Sequence, residues 1–114
     1  MSLNSDKNSP VRVVSSKVYI LAGRSFLLKR LEIKGFKPKH GILQISGDGL
    51  SVSFHSSAGP FRLIVSGDTI QFGGHTFTPS TTAHQYVVDG ARHTLQSARR
   101  YVFSDGELIG VSGA

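Results

Sequence analysis

Apolar and polar residues alternate along most of the chain at a period of two, the pattern of strands that bury one face, rather than at the 3.6-residue recurrence of a helix. The first such run holds Val11, Val13, Val18, Tyr19, Ile20 and Leu21. Its β-branched and aromatic side chains suit a pleated surface and predict one long or bulged strand, broken at Ala22-Gly23-Arg24. Residues 26–36 carry two patterns: Phe26, Leu27, Leu28 and Leu31 fit a helical stripe, whereas Leu31 and Ile33 alternating with Arg30, Glu32 and Lys34 fit a strand. The strand is the reading adopted.

Beyond Gly41 four dipeptides of hairpin-turn type recur, and each turn specifies which residues face one another. Asp48-Gly49 sets Ile45 opposite Val52 and Leu43 opposite Phe54; Gly67-Asp68 sets Val65 opposite Ile70 and Leu63 opposite Phe72. Apolar meets apolar in both. Asp89-Gly90 sets Val88 against Ala91 and Tyr86 against His93, and Asp105-Gly106 sets Phe103 against Leu108. Residues 43–48 recur in type at 63–68, a likeness that any two alternating hairpins with Gly/Asp turns would show. The chain is therefore expected to be all-β, a single antiparallel β-hairpin meander forming a small barrel or sandwich with little helix. This β domain spans residues 11–114. Residues 1–10, with Ser, Asn, Asp and Lys and little apolar surface, are expected to form a flexible polar arm.

A chain of 114 residues can bury a core without staples. It contains no cysteine, which removes disulfides, zinc-thiolate sites and cysteine nucleophiles. No apolar run is long enough for a membrane span, and residues 1–10 lack the charged-then-apolar order of a secretory signal, so a soluble protein without a signal peptide is expected.

Candidate chemistry is sparse. Nucleophile-elbow, phosphate-loop, zinc-helix and dinucleotide-binding motifs are absent, and the glycines lie between strands rather than ahead of a helix. Asp48, Asp68, Asp89 and Asp105 all occupy turn positions, which their side chains favour for local reasons. His75, His84 and His93 recur at intervals of nine. Across the Asp89-Gly90 turn, His84 falls opposite Leu95 and diagonal to His93, which makes these two the weak candidates for a metal site. Symmetric closure of the preceding loop places His75 opposite Val87, on the other face, so the three do not converge. His40 and His55 are read as exposed. No catalytic residue, cofactor or enzymatic activity is assigned; a metal-dependent or Ser-His-Asp hydrolase is the third alternative and rests on the histidines alone.

Charge changes the picture. Residues 1–40 hold nine of the thirteen Lys and Arg against two of the seven acidic residues, so the net charge of +6 is concentrated in the first third. Its densest part is residues 29–40, where Lys29, Arg30, Lys34, Lys37 and Lys39 supply fixed cations and Phe36 a ring for stacking. Arg12 and Lys17 extend this patch, whereas Arg99-Arg100 adds little to it. The leading expectation is a non-enzymatic binding module in which these six residues contact nucleic acid or another polyanion, mainly through phosphate charge. The alternative is a self-assembling structural protein, such as a small viral or phage shell or tail component, whose polar arm and open strand edges form a homo-oligomer.

Overall fold

The structure is a computed structural model that describes residues 11–35, 41–56, 62–82 and 84–113. These form eleven strands and no helix: β1 (Val11–Leu21), β2 (Arg24–Ile33), β3 (Ile42–Ser46), β4 (Ser51–His55), β5 (Leu63–Ser66), β6 (Thr69–Phe72), β7 (His75–Pro79), β8 (Gln85–Val88), β9 (Ala91–Thr94), β10 (Arg99–Ser104) and β11 (Glu107–Gly113). Residues 26–33 are thus strand, and β1 carries its bulge between Val13 and Ser15. The strands make a six-stranded sheet in the order β1-β2-β4-β3-β10-β11 and a five-stranded sheet in the order β5-β6-β7-β8-β9. The result is an open sandwich rather than a closed barrel. Among the described residues no helix is long and apolar enough to cross a membrane.

Turn chemistry sets the local pairings. Asp89-Gly90 and Asp105-Gly106 each place two successive residues at positive φ, which matches the right-handed twist of the strands they join. The ladders that result pair Val88 with Ala91, Tyr86 with His93 and Phe103 with Leu108. Likewise Ile45 pairs with Val52, Leu43 with Phe54, Val65 with Ile70 and Leu63 with Phe72. The two similar hairpins lie in different sheets. In the first, the Asp48 carboxylate accepts from the Leu50 amide at 2.9 Å and from the Ser46 hydroxyl, and Gly49 N–H donates to Ser46 O at 2.8 Å, so the connection is longer than a bare two-residue turn.

One expected register is corrected. Thr78, not His75, pairs with Val87, and Pro79 pairs with Tyr86. The loop after β7 does not close symmetrically about residues 79–83. Ser80 N–H instead donates to Gln85 O at 3.1 Å and Thr82 N–H to the Ser80 hydroxyl, which moves the closure toward the C-terminus. His75 therefore shares a face with Phe77, at the far end of the ladder from His84.

The inner faces of both sheets form one apolar layer. Leu21, Phe26, Leu28, Leu43, Ile45, Val52, Tyr101 and Phe103 from one meet Ile70, Phe72, Phe77, Tyr86 and Val88 from the other. Edge-on ring pairs cross the interface: Phe26 with Tyr86 at 6.4 Å, Phe54 with Phe72 at 5.6 Å and Phe77 with Phe103 at 5.7 Å between centroids. These geometries put a ring edge toward a ring face and add to the burial term. Because β1 and β2 extend beyond this layer, most of β1 stays exposed, including Val11, Val13, Val18 and Ile20.

Candidate polyanion interface

Directly paired residues of a sheet point to the same side, so the registers identify what the outer face of the six-stranded sheet presents. Lys29 pairs with Ser53, Ser53 with Gln44 and Gln44 with Val102. In the neighbouring row Leu27 pairs with Ser51, and Ser46 pairs with Arg100. All of these alternate with buried Leu28, Val52, Ile45 and Tyr101, and so face away from the core. Together Lys29, Gln44, Ser46, Ser51, Ser53 and Arg100 line a concavity of about 220 Å³, bordered on one side by Val11 and Leu31. Its floor is low because the central strands carry serines there. Three strand spacings across the sheet, about 14 Å, and two residues along it separate the backbones of Lys29 and Arg100.

Among the described residues no ion pair involves Lys29 or Arg100. Elsewhere the basic residues fare differently. Alternation sends Arg30 to the opposite face from Lys29, next to Ser15 of β1. Arg12 is paired with Glu32, and the Lys17 ammonium sits 5.1 Å from the centre of the Tyr19 ring. Lys34 follows β2 in an exposed turn. Phe36, Lys37 and Lys39, with His40, lie outside the described residues. Of the three expected contact residues that are described, Lys29, Arg30 and Lys34, Lys29 is the one that reaches the trough, and its partner there is Arg100. The signal for Arg100 was present in the sequence: it alternates with Tyr101 and Phe103. Its place beside Lys29 follows only from the β3–β10 pairing.

The four described histidines all make contacts within the fold. His84 is exposed with φ at 62°, and its Nδ1 lies 3.2 Å from Gly47 O. Leu95 N–H donates to His84 O at 2.7 Å, so the expected opposition of these residues holds. His93 packs edge-on against Phe103 at 5.1 Å. His55, expected to be exposed, is buried at 5 % and lies 3.1 Å through Nδ1 from Leu31 O, bridging β4 to β2. Residue alternation puts it on the outer face, where its ring nitrogen meets the β2 backbone. No group of three or more potential ligands able to hold a metal occurs among the described residues.

His75 bridges two turns. Its Nδ1 lies 2.7 Å from Asp89 Oδ2 and its Nε2 2.9 Å from Asp105 Oδ1, one carboxylate from each sheet. The bonds to Asp105 and then Asp89 favour the imidazolium and raise the His75 pKa above its ordinary value. With both ring nitrogens on carboxylates, neither is free to deprotonate a hydroxyl nucleophile, so this cluster is a clasp rather than a triad. Asp68 makes a similar link, its Oδ1 accepting from Ala22 N–H at 2.8 Å across the sheets.

What the described residues offer here is a polar trough flanked by two cations. Comparison of the chain with protein-family models, with curated proteins and with solved structures finds no match.

Proposed function

We propose that the protein is a non-enzymatic binding module that holds nucleic acid or another polyanion on the outer face of its six-stranded sheet. The observation that carries this reading is the convergence of Lys29 and Arg100, from opposite ends of the chain, on one serine-floored trough without counter-ions among the described residues. Exposed cations left unpaired bind polyanions by releasing the counter-ions condensed on them, so affinity falls steeply with salt. The test is a binding titration of a charged polymer from low to physiological salt, with Lys29→Gln and Arg100→Gln beside the parent. Each variant is expected to weaken binding and to flatten the log-log salt dependence by about 0.7 to 0.9, the loss of one contact. Binding that is indifferent to salt, or to both substitutions, would overturn the reading.

A second reading, self-assembly, is favoured by one observation: among the described residues the six-stranded sheet ends at β1 and β11 with no further strand paired to them, and both bear exposed apolar side chains such as Val18, Ile20, Ile109 and Val111. Open edges pair readily with another chain. Gel filtration with light scattering across a concentration series tests it; a monomer at every concentration would remove it.

A further inference from the structure

The trough does not end at Arg100. Through Arg100 and Ser46 it runs into a second cleft of about 440 Å³ at one end of the sandwich, lined also by Asp48, Ser97, Arg99 and Ser112. This size falls within the range of small-molecule sites. The cleft lies between the β3–β4 connection, the β9–β10 connection and the end of β11. Close packing holds its walls: Gly47 lies against the backbone of Gln96, and Gln96 N–H donates to Tyr101 Oη at 2.7 Å. Ala98, on the rim, has φ at 61°, a conformation that a non-glycine residue adopts at a cost.

Three features identify the ligand chemistry. First, Arg99 joins Arg100 and Lys29 in having no ion pair among the described residues, so the run from trough to cleft presents three unneutralised cations. Second, it presents hydroxyl-binding groups throughout. Ser51, Ser53, Ser97 and Ser112 line it, and Asp48 adds a carboxylate. The Ser46 hydroxyl and Leu50 N–H both donate to Asp48 Oδ1 and hold the group in its ionised form, leaving Oδ2 as an acceptor. A bare phosphate or sulfate would gain nothing from that carboxylate; a sugar hydroxyl would donate to it. Third, every Phe and Tyr among the described residues belongs to, or packs against, the buried core, so no described ring offers this surface a platform on which bases stack.

We infer that the combined trough and cleft is a site for an anionic polysaccharide, with Arg99, Arg100 and Lys29 taking its sulfate or carboxylate groups and Asp48 and the serines taking its hydroxyls. The inference rests on the polyanion reading above and names its ligand class. Arg99 and Asp48, in the end cleft, hold one sugar unit, while Lys29 engages the chain farther along.

The experiment is a calorimetric or fluorescence titration at low salt with a sulfated glycan decasaccharide, its desulfated counterpart and a single-stranded oligothymidylate of equal charge. The parent, Arg99→Gln, Lys29→Gln and Asp48→Asn are compared. Asparagine keeps the Oδ1 acceptor that the turn uses, so the last variant retains the loop. The sulfated glycan is expected to bind about tenfold more tightly than the oligothymidylate, and the desulfated one more weakly than its sulfated parent. Arg99→Gln and Asp48→Asn should each weaken glycan binding several-fold. The Asp48 result discriminates by sign, because removing a negative charge tightens binding by any purely electrostatic surface. Tighter binding by Asp48→Asn, or oligothymidylate binding that equals the glycan's, overturns the saccharide assignment and leaves the polyanion reading standing. Sensitivity to Lys29→Gln without sensitivity to Arg99→Gln removes the cleft from the site. Failure of every charged probe to bind overturns both.

Discussion

In the five-stranded sheet every neighbour in space is the next strand in the chain, whereas the six-stranded sheet is assembled from pieces delivered far apart: β2 lies parallel to β4, and β3 pairs with β10. In the first kind of sheet three of the four connections are two-residue turns, each of which dictates one register with little loop-closure entropy to overcome. The second has turns within its three hairpins but none to dictate the pairings that join them, β2 with β4 and β3 with β10. It relies on the matching of apolar faces and on a few close contacts where distant segments touch. The candidate site lies on this second sheet, and it exists only because β10 brings Arg100 alongside β3.

The sharpest way to break the comparison is to substitute one glycine in each region. A Cβ on Gly47 would lie 2.0 Å from Gln96 O and 3.0 Å from Arg99 O, both backbone atoms that no rotamer change relieves. Gly47→Ala should therefore force β3 away from the β9–β10 connection, costing about 3 kcal/mol and lowering Tm by roughly 12 °C or more. Gly74, in the turn between β6 and β7, has φ at 81° but open space around its missing side chain. Gly74→Ala should cost about 1 kcal/mol of backbone strain alone. Thermal melts of the two variants decide the matter: equal losses would mean that the long-range contact is no more critical than a meander turn.

The His75 clasp joins the two regions and should do so in a pH-dependent way. The folded pKa of His75 is raised, so its stabilising contribution is complete below the ordinary histidine value of about 6.5 and is lost as pH rises through the folded value. The pKa of Asp89 is lowered, chiefly by the Thr76 amide and then by His75, so its share is present above the ordinary carboxylate value of about 4 and is lost as pH falls through the depressed one. The clasp is complete between those two ordinary values. Because Asp89 and Asp105 are 43% and 53% exposed, solvent screening limits the effect to about 1 kcal/mol or less. His75→Gln should lower Tm by a few degrees at pH 5.5 and by less at pH 8.5; a difference equal at both values would show that charge plays no part.

This division also explains what was legible in the sequence. Strand alternation and Asp-Gly or Gly-Asp turns revealed the all-β class and the hairpin partners of Leu43, Ile45, Leu63, Val65 and Tyr86, because those signals are local. The register of β7 on β8 was misread, since a longer loop without a turn dipeptide leaves the closure point to hydrogen bonds such as Ser80 to Gln85. The place of Arg100 is hidden from the sequence for the same reason on a larger scale. A dense cluster such as residues 29–39 stands out by proximity in sequence, but alternation separates Lys29 from Arg30, while a sheet ladder brings Arg100 within one trough of Lys29.

The smallest effect concerns one tyrosine from each sheet. Tyr101, in the sheet of distant partners, places its hydroxyl where it accepts a hydrogen bond from Gln96 N–H. Tyr86, in the meander, is fully buried against Phe26, and its hydroxyl has no hydrogen-bond partner among the described residues. Burial also pushes its pKa well above the usual phenol value, so the group stays neutral. Tyr101→Phe should cost about 1 kcal/mol, because the Gln96 amide loses its acceptor in a partly buried corner. Tyr86→Phe removes a polar atom whose desolvation nothing offsets, against which stands only the small void left by one oxygen, so stability should hold or rise by up to about 1 kcal/mol. Denaturant titration of the two variants gives the sign directly. A Tyr86→Phe variant destabilised as much as Tyr101→Phe would mean that the meander hydroxyl is bonded in solution, and that both sheets depend on a polar contact inside the core.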